Sequence, residues 1–275
     1  MSKAIYMPKG KAGEYAKYAC NFYIGCSNDC DYCYCKRGLL GHAMGAPVAT
    51  LKKCFKDEAD AMRVFKKELH ANIDELRKYG LFFTFTSDPF IAECKEMTYA
   101  AVDYAIHQGV PCQMLTKRAN FDPLKGWEDY KHLLAFGFTL TGFDNLEAKA
   151  SSNEDRIRTM RYLALKGYKT FASIEPVIDL DWSLAMISDS IDCCYLYKIG
   201  LVSGKRMYEP IEVEQFMKDV HHIIFNAHEK VMVYWKDSVL DYIGMDRDDL
   251  PKGICVGADY NIFNDPCLRI IDRML

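Results

Sequence analysis

Short runs of aromatic and β-branched residues alternate with longer segments of helical periodicity through most of this 275-residue chain. The strand-like runs are 21–25, 81–86, 112–116, 138–142, 170–174, 195–199 and 231–235. Between them, 57–79 sets Ala61, Val64, Phe65, Leu69 and Ile73 at three-to-four spacing, and 99–108, 153–166 and 212–228 repeat the pattern. Gly80, Gly109 and Gly167 each follow a helical segment, where a left-handed cap is wanted. Such alternation predicts parallel strands joined by crossover helices. Without an internal repeat, low-complexity tract or linker, the simplest reading is one domain over residues 1–275.

Polar residues at alternate strand positions separate a barrel from a doubly wound sheet. Strands covered by helices on both faces read as continuous apolar runs. Here Gln113 and Lys117 share one side of their strand, as do Thr139 and Thr141, Ser173 and Glu175, Leu196 and Lys198, and Tyr234 and Lys236. These groups gather toward the C-terminal strand ends, where β/α sites form. The pattern predicts a partial (β/α)6-type TIM barrel with parallel strands and a polar lumen.

Cysteine usage points to chemistry. Of 12 cysteines, Cys20, Cys26, Cys30, Cys33 and Cys35 are clustered and the rest scattered. No apolar h-region opens the chain and no run reaches a membrane span, so reduced thiols in the cytoplasm are expected. The net charge of −3 does not favour a strongly basic nucleic-acid binder. Cys26, Cys30 and Cys33 form C-x3-C-x2-C. Three thiolates on one short loop can hold three corners of a cubane and leave the fourth iron open to a ligand. The competing reading is zinc completed by Cys20 or Cys35, in a non-enzymatic nucleic-acid-binding protein that uses the basic N-terminal stretch. An auxiliary cluster on Cys193, Cys194, Cys255 and Cys267 lacks a compact loop spacing.

C-x3-C-x2-C after an N-terminal strand, with Tyr32 before its last cysteine, resembles the signature of the radical S-adenosylmethionine (SAM) enzymes. Gly25-Cys26-Ser27 and Tyr32-Cys33-Tyr34 look closest to the spore photoproduct lyase-like branch and a phage-associated relative. Matches follow in order at Thr86–Phe90, Leu115–Arg118, Ser173–Pro176 and Trp235–Ser238. The likeness spans about residues 15–240 and leaves 241–275 as a C-terminal extension.

The resemblance implies a 4Fe–4S cluster on Cys26, Cys30 and Cys33, with SAM on the open iron. It further implies a low-potential reductant such as flavodoxin or ferredoxin, and lyase-like hydrogen abstraction from a substrate the sequence does not specify, nucleic acid being the family's class. Tyr32 is then expected near the adenine, Asp88 at the SAM ammonium and Lys117 at its carboxylate, with Thr141, Ser173 and Glu175 completing the cofactor site. The family's Gly-Gly-Glu-like turn is replaced here by Thr86-Ser87-Asp88. Asp88 can instead cap the segment after Pro89, and Glu175 can simply neutralise Lys198. Cys35, just past the last ligand, is a candidate hydrogen donor.

Overall fold

The structure is a computed structural model that describes residues 4–37, 41, 43–202, 204, 206–228 and 230–264. Its main sheet has eight strands in the order β1 (Ile5–Tyr6), β2 (Ala19–Cys20), β5 (Leu81–Phe83), β6 (Cys112–Thr116), β7 (Leu134–Thr139), β8 (Lys169–Val177), β9 (Leu196–Leu201) and β10 (Met232–Trp235). β1 runs antiparallel to β2, whereas β2–β5, β5–β6, β8–β9 and β9–β10 pair in parallel. The sheet is open, and the architecture is that of a partial β/α barrel. The chain divides into two compact units, one built from residues up to Ala135 with Asn145–Ser151, the other from Phe136–Asp144 and residues from Ser152 onward.

In the first unit, α1 (Glu58–Ala71) starts where the Asp57 side chain accepts the Asp60 N–H at 2.7 Å. It buries Ala61, Phe65 and Leu69, and Phe65 packs edge-on against Phe22. Glu68 on this helix accepts the backbone N–H groups of Ala4 and Ile5, both at 2.8 Å, and so holds β1. The single helix expected over 57–79 is two: at Asn72 the side-chain amide turns back to the Glu68 carbonyl, and α2 (Ile73–Tyr79) begins afresh. α3 (Lys95–His107) buries Ala101, Val102, Ala105 and Ile106 between β5 and β6 in chain order.

Of the strand expected over 21–25, only β3 (Tyr23–Ile24) forms, paired with β4 (Thr50–Leu51) in a separate antiparallel pair, while the strand that enters the main sheet, Ala19–Cys20, precedes the expected run. Between them the Asn21 N–H donates to the Ala4 carbonyl at 3.1 Å and its Oδ1 accepts from Thr84 Oγ1 and the Phe85 N–H. Gly80, Gly109 and Gly167 take the expected positive φ of +76°, +76° and +82°.

In the second unit, α4 (Asn153–Leu165) is capped by Ser152, and α6 (Pro210–Phe225) by a reciprocal Glu209/Glu212 box with proline in its first turn. Between β8 and β9 lies α5 (Leu180–Ser190), which the periodicity reading omitted; the Asp179 side chain caps it through the Trp182 N–H at 2.9 Å. α7 (Asp237–Ile243) follows β10 directly. Phe171 lies where a Cβ on Gly137 would sit, 2.2 Å from its ring, so β7 and β8 meet through a residue with no side chain.

Candidate cofactor site

The cysteine loop leaves β3 through Gly25, whose φ of +85° and 2.4 Å Cβ clearance to the Val48 carbonyl admit only glycine. Successive turns shape the loop: Asp29 N–H to Cys26 carbonyl, Cys33 to Cys30, and Lys36 to Cys33. Asp29 pairs with Lys36 at 2.5 Å and with Lys149 at 2.8 Å, which clamps the loop against a segment far along the chain. Cys26, Cys30, Cys33 and Cys35 form no disulfide, and Cys30 and Cys35 are buried. Among the described residues, no three His, Cys, Asp or Glu side chains are gathered into a metal-ion site. Cys26, Cys30 and Cys33 therefore share a loop without their sulfurs being preassembled. Cys267 lies outside the described residues.

Around this loop stand three of the sequence candidates. The Lys117 ammonium lies 5.6 Å from the centroid of the Tyr32 ring, and Tyr32 donates its hydroxyl to Glu147, a carboxylate that is only 1% exposed. Burial first, and then the Asp88 charge, push the Cys26 thiol up to about 12, with Lys117 acting in the opposite sense. Cys33 moves the other way, held below the ordinary thiol range first by hydrogen bonding with Cys35 and also by Lys117. One cation thus acts on two of the three motif thiols.

Asp88 is almost fully buried at 5% exposure and carries four hydrogen bonds. Its Oδ1 accepts from Thr116 Oγ1 at 2.7 Å and from the Phe90 N–H at 2.9 Å. Its Oδ2 accepts from Asn28 Nδ2 at 2.8 Å and from the Lys117 N–H at 2.7 Å. A carboxylate has about four lone-pair directions, so this one is saturated by the chain itself. It ties the cysteine loop to the end of β6. Asn28, Thr116 and Glu147 were not singled out in the sequence; Asn28 occupies a spacer position of the cysteine motif, and Glu147 is 115 residues from its tyrosine.

The remaining candidates lie in the second unit. Thr141 is fully buried, its N–H given to Asn153 Oδ1 at 3.0 Å and its Oγ1 accepting from the Phe143 N–H at 3.3 Å. Ser173 on β8 stands in register with Lys198 on β9, and Lys198 with Tyr234 on β10. Glu175 meets Lys236 at 2.8 and 2.9 Å, within the stretch where the β8–β9 register shifts between Ile174 and Val177, and the Lys198 ammonium lies 5.7 Å from the Tyr234 ring centroid. His221 is half-buried, and its Nε2 accepts from Trp235 Nε1 at 2.9 Å.

No family model matches the chain, and no curated protein sequence is similar to it. Among solved structures it is similar to spore photoproduct lyase complexed with a dinucleoside spore photoproduct, with a TM-score of 0.59 and 14% identity over 84% of this chain and 79% of that one. A cysteine-to-alanine variant of the same lyase, with the same dinucleoside, gives a TM-score of 0.58 at 14% identity. At that identity the likeness is one of fold. Among the described residues, no helix is long and apolar enough to cross a membrane.

Proposed function

We propose that this chain is a radical SAM enzyme with a lyase-like reaction. The carrying observation is the convergence, in one unit, of the reduced cysteines Cys26, Cys30 and Cys33, the saturated Asp88 and the Lys117 ammonium beside Tyr32. The fold shared with spore photoproduct lyase supports the same reading.

The donor set fits a 4Fe–4S cluster: three soft thiol ligands within one clamped loop, and no fourth ligand required of the protein. Cys26, Cys30 and Cys33 would hold three irons. Bound there, the cluster and SAM would supply one-electron reductive cleavage of SAM to methionine and a 5′-deoxyadenosyl radical, with the electron drawn from a reductant such as flavodoxin or ferredoxin. The chain's own task is positioning. Lys117 offers a cation to the methionyl carboxylate, and Tyr32, fixed through its hydroxyl by Glu147, offers a ring face beside it. Asp88 acts through its neighbours, orienting Asn28 and the Lys117 backbone rather than touching SAM. Thr141, Ser173 and Glu175 remain proposed second-unit contributors to cofactor or substrate binding. The dinucleoside held by the structural neighbour makes a nucleic-acid lesion the substrate class to try first, in the cytoplasm where the reductants reside.

Anaerobic reconstitution followed by a strong reductant and SAM tests the reading. A brown, iron-loaded protein that releases 5′-deoxyadenosine supports it; a colourless zinc protein, or a fully loaded one that never releases it, overturns it.

A further inference from the structure

Among the described residues, three buried side-chain polar atoms have no hydrogen-bond partner: Asn28 Oδ1, Arg118 Nε and Arg247 Nη1. The two arginines are partly exposed, but Asn28 is only 2% exposed, so bulk water does not reach its oxygen. The identity of that atom is set by chemistry. The other end of the amide faces the Asp88 carboxylate at 2.8 Å, and only the NH2 group can donate there. The carbonyl oxygen is therefore turned away from Asp88 and left without a donor. A sealed, unsatisfied acceptor is costly, and native structures keep one where something else supplies the donor.

The position of this acceptor indicates the donor. Asn28 Nδ2 and the Lys117 N–H meet at the same oxygen, Asp88 Oδ2, at 2.8 and 2.7 Å. An acceptor amide and a lysine thus branch from one node, two residues after the first motif cysteine. An α-amino acid carries its ammonium and its carboxylate on a single carbon, so an acceptor and a cation on two residues anchored at one carboxylate suit its two ends. Asp88, which composition alone would choose for the ammonium, has no acceptor capacity left.

We infer that Asn28 Oδ1 accepts a hydrogen bond from the ammonium of the bound SAM, with Asp88 as the positioning residue that aims it. This rests on the radical SAM reading above and adds a recognition residue to it. The loop carrying Asn28 is the one whose thiols must draw together on loading, so the acceptor and the cluster ligands become ordered in one event.

The test is equilibrium binding to anaerobically reconstituted protein, without turnover, of SAM and of a SAM analogue whose amino group is replaced by hydrogen. Asn28→Ala with wild-type iron content should weaken SAM by about ten- to a hundredfold, the range of a hydrogen bond to a charged group. Its affinity for the deaminated analogue should stay within about twofold of wild type. If Asn28→Ala does not load iron, Asn28→Ser replaces it under the same criterion, since serine keeps a small polar side chain in the loop but is too short to reach the ammonium. Equal losses for both ligands make Asn28 a structural residue and overturn the inference, as does no loss for either. Iron-loaded wild-type protein that binds neither ligand overturns the inference by removing the radical SAM reading beneath it, an outcome visible before any variant is made.

Discussion

The backbone N–H of Lys117 donates to Asp88 Oδ2 at 2.7 Å, so the first residue beyond β6 is held by the segment that follows β5. With Asn28 and Thr116 on the same carboxylate, one buried side chain joins two strand ends and the cysteine loop. Asp88→Ala would strand four donors at a site only 5% exposed. The expected loss is about 3–5 kcal/mol of stability, read as a lowered urea midpoint with an unchanged slope. Asp88→Asn keeps one acceptor oxygen and should cost less, about 1–3 kcal/mol. Equal midpoints for wild type and Asp88→Ala would remove Asp88 from its structural role.

The metal ligands make a separate prediction. Anaerobic reconstitution should load about four irons and four sulfides per chain, following cubane stoichiometry. Replacing Cys26, Cys30 or Cys33 by alanine should abolish this loading. Cys35→Ala should keep it, although Cys35 is buried and its thiol is pushed up chiefly by hydrogen bonding with Cys33. Iron and sulfide assays decide; a Cys35 variant without cluster beside a Cys33 variant with one would reassign the ligands.

Lys117 is expected to act on SAM and not on the cluster. Its ammonium lies beside the Tyr32 ring and acts on both Cys26 and Cys33, yet it is no ligand. Lys117→Ala should leave the iron content intact and weaken SAM binding by about ten- to a hundredfold, because a charge-assisted hydrogen bond is worth roughly 1.5–3 kcal/mol. The backbone bond to Asp88 survives the substitution, so stability should barely change. Unchanged SAM affinity on loaded protein would assign the carboxylate to another group.

What could be read from the residues was what is local. Strand–helix alternation, the glycine caps and the cysteine loop each depend on a few neighbouring residues, and the open parallel sheet follows from the alternation. The relationships that make the site are distant. Tyr32 finds Glu147 at a separation of 115 residues, and Asn28 finds Asp88 at 60, with no spacing pattern to announce either. The Glu175–Lys236 pair likewise joins residues 61 positions apart, across a β8 whose register shifts after Ile174, which no local pattern shows. Asn72 divided the expected helix because a short amide side chain competes with the backbone for its own partners.

The Asp29 carboxylate should make the cysteine loop acid-sensitive. Hydrogen bonds from Lys149 first, and then Lys36, hold its carboxyl below the usual aspartate value. A carboxyl depressed in the folded state contributes stability that is fully present above its unfolded value of about 3.9 and is lost as pH falls through the folded value. The loop should therefore exchange backbone hydrogens faster as pH drops below ~4, after correction for intrinsic rates. The pair is partly solvated, so the global effect should stay under about 1 kcal/mol. Asp29→Asn tolerates the same left-handed backbone, φ 51°, and should exchange at the fast limit with no pH step of its own. An identical step in wild type and variant would place the titrating group elsewhere.

The Glu175–Lys236 pair offers a test confined to the second unit. The Lys236 side chain is 1% exposed, and the Glu175 carboxylate accepts from it through both oxygens at 2.9 and 2.8 Å. A buried ammonium deprived of its carboxylate is strongly destabilising, so Glu175→Ala should cost about 3–5 kcal/mol. Gly200 on β9 makes room for the pair: a Cβ there would lie 2.9 Å from Lys236 Cδ and 3.1 Å from the Glu175 carboxyl carbon. Gly200→Ala should therefore cost about 1–3 kcal/mol through overpacking. The two effects must couple, because removing the Glu175 side chain removes one of the groups the new methyl meets. Gly200→Ala made in the Glu175→Ala background should cost less than in wild type by at least about 0.5 kcal/mol, measured by urea unfolding of all four proteins. Strict additivity would mean that Gly200 matters for the strand backbone and not for the ion pair.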